Sequence, residues 1–442
     1  MSDMLHSDQL RGHQVVVVGA GASGRAAARL LTRLGASVRF LEKNAKGVSD
    51  DFREEAGQGG YDLRLGAHGP ADFAGADMVV LSPGIRAAGL ADCLAACPGA
   101  QVLSELELAS WFVAEPMVAV TGSNGKTTTV MLISHLLEAA GNKVFTGGNI
   151  GTPLSEYVLS GDTADVVVLE VSSFQLQLTR TFRPRVAVLL NFAPNHLDWH
   201  ENLEEYFEAK LRIFAAQRPG DLAIVPEELR AALAGRDFTK AEVAWFSASD
   251  RFTCRRLIGA HNRQDMEAAF LAAAPFGVTE ETAKAAFDTF VPAPHRLQVI
   301  GEKGGVLFVD DSKATTVAAM EAAIRSFDRP VRLLAGGVFK GGDLAALLPL
   351  LRERVAAVAL FGASREVFEA AWAGQVPLFH EPTLEAAMTR LFADARPGDV
   401  VLLSPATASF DLYDGYKARG RDFQRVFAGL PMNRDAEAGE KA

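Results

Sequence analysis

Val15-Val16-Val17-Val18-Gly19-Ala20-Gly21-Ala22-Ser23-Gly24 is a β-branched run that breaks into a glycine turn, and an Ala- and Leu-rich stretch with helical spacing follows it from Arg25 to Leu34. A buried strand, a tight turn and a helix in that order open a parallel α/β unit. The same alternation recurs down the chain. Val38–Leu41, Met78–Leu81, Met117–Val120, Val166–Leu169, Val186–Leu190, Val306–Val309, Val331–Leu334, Ala357–Phe361 and Val400–Leu403 read as further buried strands, with helices filling the gaps. A fresh strand and glycine loop begin after Glu115-Pro116, and Val291-Pro292-Ala293-Pro294 is a proline-stiffened connector. Three α/β domains are therefore expected, over 1–112, 113–292 and 293–442. The 442 residues agree, at roughly 150 per domain.

Composition narrows the function. With 49% apolar and 22% charged residues the chain has enough apolar surface to fold, and a net charge of -10 in short mixed runs disfavours a groove for DNA or RNA. Cys93, Cys97 and Cys254 form neither an even framework nor a metal knuckle and read as reduced thiols. No apolar run approaches the ~18 residues of a membrane span. A soluble, cytoplasmic monomer without nucleic-acid or membrane partners is expected, with a fraying polar tail after Pro431.

Gly19-Ala20-Gly21-Ala22-Ser23-Gly24 has GxGxxG spacing between strand and helix, and Glu42 ends the next strand. Glycines let the backbone approach a diphosphate, and the helix N-terminus offers it oriented N–H groups. That physics selects a diphosphate and leaves open which nucleotide carries it. A second loop, Thr121-Gly122-Ser123-Asn124-Gly125-Lys126-Thr127-Thr128, lacks the first glycine of the generic phosphate loop, where Val120 stands. Its chemistry is complete: Gly122 and Gly125 free the backbone of Ser123 and Asn124 to wrap phosphate, Lys126 brings a cation, and Thr127 offers a hydroxyl to magnesium. Two cradles on consecutive domains cannot serve one ATP. One domain should hold a nucleotide-linked substrate while the other consumes ATP, which is the arrangement of a ligase. An NAD-dependent oxidoreductase would explain the first loop alone, and a nucleotide switch the second alone.

Further on stand Gly148-Asn149-Ile150-Gly151, Leu169-Glu170-Val171-Ser172-Ser173-Phe174-Gln175, Asn191-Phe192-Ala193-Pro194-Asn195-His196-Leu197-Asp198, Lys210-Leu211-Arg212-Ile213-Phe214, His261-Asn262, His295-Arg296, Asp311-Ser312-Lys313-Ala314-Thr315 and Ser404-Pro405-Ala406-Thr407-Ala408-Ser409-Phe410. In this order, over nearly the whole chain, they resemble the Mur ligases, and among them the D-glutamate-adding branch. The phosphate-loop segment and the histidine after the proline are shared with folylpolyglutamate synthetase, so another Mur-type or folylpolyglutamate-type amide ligase is the alternative.

The resemblance implies a Rossmann-like first domain that holds UDP-N-acetylmuramoyl-L-alanine with Ser23, Gly24, Glu42, Ser82 and Gly84. It implies a central phosphate-loop domain that uses ATP and Mg2+, and a Rossmann-like C-terminal domain that takes D-glutamate. Asn149 and His196 would meet the alanine carboxylate and its metal. Glu170 and Asp198, with Thr127, make a neighbourhood of hard oxygen ligands suited to magnesium. By similarity Asn262 reads adenine, and Arg296 and Lys313 reach the ATP phosphates with Asp311 orienting them. Lys313, Thr315, Lys340, Ser409 and Phe410 would grip the glutamate. Departures from the family pattern stand at Asp265 and Thr316 for asparagine, Phe339 for aspartate and Thr407 for cysteine; a carboxylate at 265 can only accept hydrogen bonds.

Lys210 is singled out by periodicity. Leu203, Tyr206, Phe207, Leu211 and Phe214 form one apolar helical stripe, and Lys210 falls within it. A snorkelling side chain is the plain account. Burial would instead favour a neutral amine able to add carbon dioxide, and the resemblance implies a carbamylated Lys210 that helps hold magnesium with His196.

Overall fold

A computed structural model describes residues 10–196, 199–254, 256–257 and 259–431. Asp198 and the tail beyond Pro431 lie outside them. The first sheet comprises β1 (Gln14–Val18), β2 (Ser37–Glu42), β3 (Asp62–Leu65), β4 (Met78–Leu81) and β5 (Gln101–Ser104), all parallel, in the order β3-β2-β1-β4-β5. The second comprises β6 (Met117–Thr121), β7 (Val144–Gly148), β8 (Val166–Glu170), β9 (Val186–Leu189), β10 (Leu222–Pro226) and β11 (Glu242–Phe246), parallel, in the order β11-β10-β9-β6-β8-β7. The third comprises β12 (Gln298–Lys303), β13 (Val306–Asp310), β14 (Val331–Ala335), β15 (Val355–Leu360), β16 (Leu378–His380) and β17 (Val400–Leu403), in the order β12-β13-β17-β14-β15-β16; only β12 runs antiparallel to its neighbour. All ten expected strands are present, with Leu190 and Phe361 falling just past the ends of theirs.

The central strands of each sheet are apolar on both faces because helices cover them. Val15 to Val18, Val118 to Val120 and Val400 to Leu403 are buried throughout. In each sheet the chain inserts or reverses strand order near the centre, and such switch points open a crevice at the C-terminal strand ends.

Two compact units are formed, Met1–Ser247 with Asp265–Ala286 and Ala248–Gln264 with Phe287–Ala442. The first holds two sheets, and buried acids on the helix Glu105–Ser110 sew them together. Glu107 accepts hydrogen bonds from the N–H groups of Arg180, Thr181 and Phe182, and Glu105 accepts one from the Ser155 N–H at 2.6 Å.

Burial pushes the Glu105 carboxyl up from 4.5 to about 7, against the lowering effect of the Ser155 N–H. A folded-state pKa above the unfolded one means that the folded protein holds the extra proton. The stability it contributes is complete below about pH 4.5 and is lost as pH rises through about 7. Glu105→Gln, which still accepts from Ser155, should flatten the stability profile across that window and be about 2–3 kcal/mol more stable than the parent at pH 8. Denaturant midpoints from pH 5 to 8 check this; parallel profiles would count against it.

Candidate active site

In the second sheet, β8, β6 and β9 are adjacent and end at one level, with Val120 beside Glu170 and Thr121 beside Leu189. The loop 122–125 follows β6, and the helix Lys126–Ala139 begins directly after it. Gly125 is left-handed (φ 79°), and a Cβ there would lie 2.7 Å from Asp265 Oδ1, so the turn needs glycine. Lys126 Nζ donates to the carbonyls of Gly122 (2.9 Å) and Ser123 (3.1 Å). Asn191, just past β9, braces the loop: its Oδ1 accepts from the N–H groups of Ser123 and Asn124 at 3.0 and 2.9 Å, and its Nδ2 donates to the Asn124 carbonyl. The Ser123 hydroxyl is further fixed by Ala193 and lies 3.3 Å from the Tyr206 hydroxyl.

Thr127 Oγ1 donates to Glu170 Oε2 at 2.5 Å, and Asn149 Nδ2 donates to Glu170 Oε1 at 2.8 Å. Three expected site residues thus meet on one buried carboxylate at the end of β8. Lys210 stands close to the same loop. Only 1% exposed, it donates from Nζ to the Gly122 carbonyl at 2.8 Å, with Nζ 4.5 Å from the centre of the Tyr206 ring. It does not snorkel. Burial, helped by the Lys126 charge, drives its ammonium well below the ordinary lysine value. Leu203, by contrast, is 38% exposed at the start of the helix Leu203–Leu211 and falls outside the buried stripe expected of it. His196 adopts a left-handed backbone (φ 57°), with its ring edge-on to Phe174 at 4.9 Å.

These groups suit magnesium, which takes oxygen ligands and keeps phosphates and waters in its shell. Thr127 and Glu170 supply hard oxygens, and among the described residues no group of three His, Cys, Asp or Glu forms a closed metal cage. A cavity of about 1340 Å³ opens at the opposite, N-terminal strand edge beside Met78, Gln101, Met117 and Asp221 and contains none of these residues.

At the first sheet, Gly19 and Ser82 follow the adjacent strands β1 and β4, and the Ser82 hydroxyl donates to the Gly19 carbonyl at 2.9 Å. A Cβ on Gly24 would fall 2.0 Å from that same carbonyl oxygen, so this glycine serves close packing of helix on loop. Glu42 accepts from the Ala20 and Asn44 N–H groups, both at 2.7 Å. Its carboxylate thereby shapes the glycine loop. Ser23 opens the helix Ala22–Arg33, and Gly84 lies in the turn after β4.

In the second unit, β13, β17 and β14 are adjacent, and their C-terminal ends carry Asp311 to Thr315, Ser404 to Phe410 and Gly336 to Lys340. Asp311 accepts from the Leu297 N–H and the Ser404 hydroxyl, and burial pushes its carboxyl up to about 7. It braces those two segments and feels the charge of Arg296, while Lys313 Nζ lies 4.2 Å from the centre of the Tyr416 ring. Lys340 is exposed and sits 5.8 Å from the ring centre of Phe410, itself 71% exposed; Ser409 is buried. Asn262 is buried in the first turn of the helix Ala260–Ala273. Arg296 lies next to the left-handed His295 and Leu297.

Residues 120–276 match the Mur ligase middle domain, and residues 295–407 the Mur ligase glutamate ligase domain. The UDP-N-acetylmuramoylalanine–D-glutamate ligase of Nitratidesulfovibrio vulgaris strain DP4 is 55% identical, with 95% of this chain and 97% of that one covered. The chain belongs to the Mur ligase family. The enzyme of the same name from Oleidesulfovibrio alaskensis is 52% identical, with 96% of each chain covered. In fold this Mur ligase is similar to a MurF ligase from Thermotoga maritima solved in complex with ADP, at 19% identity, a TM-score of 0.59 and 96% coverage of both chains.

The departures from the family pattern have physical explanations in this Mur ligase. Burial pushes the Asp265 carboxyl up to about 8. That shift favours the protonated acid, which can donate as well as accept, the pattern of an asparagine amide. Thr316 caps the helix Val317–Arg325 through the Ala319 N–H, a role threonine fills as asparagine does. Phe339 packs edge-on against Phe368 on the third-sheet core. Thr407 Oγ1 donates to the Gly336 carbonyl at 2.6 Å. Asn191 and the buried His295–Asp310 pair, 2.7 Å apart, are not among the expected site residues. An asparagine directly after a strand beside the phosphate loop was the signal available for the first.

Proposed function

We propose that this Mur ligase is an ADP-forming ligase that joins D-glutamate to UDP-N-acetylmuramoyl-L-alanine in cytoplasmic peptidoglycan precursor synthesis. The observation that carries the reading is full-length identity of 52–55% to D-glutamate ligases, on a chain whose phosphate loop keeps Lys126, Thr127 and Glu170 together. The segment 1–112 would hold the UDP sugar, 113–292 ATP, and 293–442 the amino acid. The oxidoreductase reading accounts for the first loop only and is not favoured.

A carboxylate and an amine do not condense unaided in water, so the carboxylate must be activated. The loop N–H groups and Lys126 offset charge as the γ-phosphoryl moves to the alanine carboxylate. The glutamate amine then attacks the acyl phosphate, and phosphate leaves with one carboxylate oxygen. Thr127, Glu170 and His196, with a carbamylated Lys210, would hold magnesium, which would supply charge neutralisation at the transferring phosphate. Asn149 would position the alanine carboxylate. Asn262, Arg296 and Asp311 would complete the ATP site, and Lys313, Thr315, Lys340, Ser409 and Phe410 the amino-acid site.

An amino-acid panel scored by ADP release in the presence of UDP-N-acetylmuramoyl-L-alanine tests the reading: D-glutamate should give the highest rate. Equal release with no amino acid would contradict it. Lys340→Ala should raise the KM for D-glutamate by roughly ten- to over a hundredfold, about 1.5–3 kcal/mol, through loss of a charged partner for a carboxylate. A D-glutamate KM matching the parent would remove Lys340 from the site.

A further inference from the structure

The amino-acid site as proposed has Lys340 as its cation for the substrate side chain, and that lysine is exposed. The fold also holds a buried cation bonded to the same strand-end segments. Arg419, from the helix Tyr416–Gly429, is 0% exposed. Its Nη2 donates to the carbonyls of Ser312 (2.9 Å) and Thr407 (3.0 Å). Its Nη1 faces Thr407 Oγ1 at 3.4 Å and the carbonyls of Gly336 and Ala408 at 3.5 Å. The buried Nε has no hydrogen-bond partner.

Those oxygens belong to the segments that leave β13, β17 and β14, the three adjacent strand ends that carry the expected glutamate residues. Ala408 immediately precedes Ser409, and Gly336 begins the loop to Lys340. The two loops are tied by reciprocal bonds between Val338 and Ala408 at 2.8 and 3.0 Å. Gly337 leaves room for the guanidinium: a Cβ there would stand 3.2 Å from Nη1 and 2.3 Å from the Ala408 carbonyl oxygen.

None of these partners is a carboxylate. Asp411 and Asp310 act on Arg419 through longer-range charge, and both are engaged elsewhere, Asp411 with the Ala363 N–H and Asp310 with His295, Gln424 and the Ser312 N–H. Carbonyl and hydroxyl oxygens take up its Nη groups, Nε stays unpartnered, and Asp411 and Asp310 offset its charge only at longer range, which leaves it without a directly paired counter-ion. A guanidinium in a low-dielectric interior needs one. Arg419 bonds to the segments at the three strand ends that carry the proposed amino-acid residues, where a ligand with an anionic side chain supplies that counter-ion.

We infer that Arg419 is the buried counter-charge of the amino-acid site, a positioning residue that holds the Ser409 and Lys340 loops and whose charge, without a direct ion pair, selects an anionic side chain on the incoming amino acid. This rests on the D-glutamate reading of the site. The alternative is a stitch of backbone carbonyls with no electrostatic effect on the ligand.

The test compares D-glutamate with D-glutamine, which differ in side-chain charge and little in shape, in the full-length parent, Arg419→Met and Arg419→Lys. KM is measured for each, or an inhibition constant where there is no turnover, with the KM for ATP alongside and thermal midpoints confirming the fold. The parent should prefer D-glutamate. In Arg419→Met that preference should shrink at least tenfold while the KM for ATP stays within threefold. Arg419→Lys, which keeps the charge with fewer donors, should retain the preference. Equal losses for both amino acids in Arg419→Met would overturn the inference. If Arg419→Met does not fold, Arg419→Gln, which keeps amide donors and removes the charge, decides: a stitch predicts an unchanged ratio of D-glutamate to D-glutamine, the counter-charge a ratio that shrinks at least tenfold. Failure of the underlying reading is separately visible, as a parent that releases ADP with neither amino acid.

Discussion

Replacing Lys210 by alanine is expected to abolish ligation, with turnover below one thousandth of the parent, and a small carboxylic acid such as acetate or formate should restore part of it. The expectation starts from helix geometry, which puts a lysine on the buried stripe beside Tyr206, Phe207 and Leu211. The ammonium cannot reach water, its hydrogen bond goes to the Gly122 carbonyl, and Lys126 adds like charge. Both effects favour the neutral amine. A neutral amine forms an N–C bond with carbon dioxide and releases one proton, leaving an anionic pair of hard oxygens at the phosphate loop, beside Gly122. Formate or acetate can stand in for that pair once the side chain is removed. Lys210→Met, which fills the same space, separates loss of chemistry from loss of packing. The measurement is steady-state ADP release with and without added acid, and mass spectrometry of the native chain in bicarbonate should show one labile added carbon dioxide. Absence of both the rescue and the added mass would return Lys210 to a bare amine that braces the loop.

Lys126→Ala should lower kcat by about a thousandfold, the loss expected when one preorganised donor is removed from charge developing in the transition state. The side chain starts at the N-terminus of the helix Lys126–Ala139 and folds back over the loop carbonyls, which places its charge at the mouth of the phosphate loop. Asn191, Ser123 and Tyr206 hold the loop independently, so the thermal midpoint should change little. Single-turnover formation of ADP checks this. A mutant that loses ATP affinity alone, with kcat intact, would show that Lys126 binds the ground state only.

Much of this fold is written in uninterrupted apolar runs. Val15–Val18 or Val400–Leu403 can be nothing but buried strands once flanked by glycine turns and helices. The strands that do not announce themselves are mostly those at or near sheet edges. β3, β11, β12 and β16 are half-exposed along their length and so mix polar with apolar residues, and β10 ends in Pro226. Site residues that act through a motif, such as Lys126, Thr127 and Glu170, are legible because their spacing carries the chemistry. Arg419 is not. A lone arginine on a polar-looking helix gives no sign that it reaches three strand ends, since that depends on β17 inserting between β13 and β14, a topological fact that no local pattern encodes. Asp265 shows the converse limit: its identity is plain, but its protonation is set by burial against Gly125 and not by its neighbours in sequence.

The central claim, ATP-dependent amide formation through an acyl phosphate, is tested most directly by following oxygen. UDP-N-acetylmuramoyl-L-alanine labelled with oxygen-18 in both carboxylate oxygens is turned over with ATP and D-glutamate, and the released phosphate is analysed by phosphorus NMR. If the γ-phosphoryl moves to that carboxylate and departs when the amine attacks, each phosphate carries one labelled oxygen. Unlabelled phosphate formed in step with product would contradict the account.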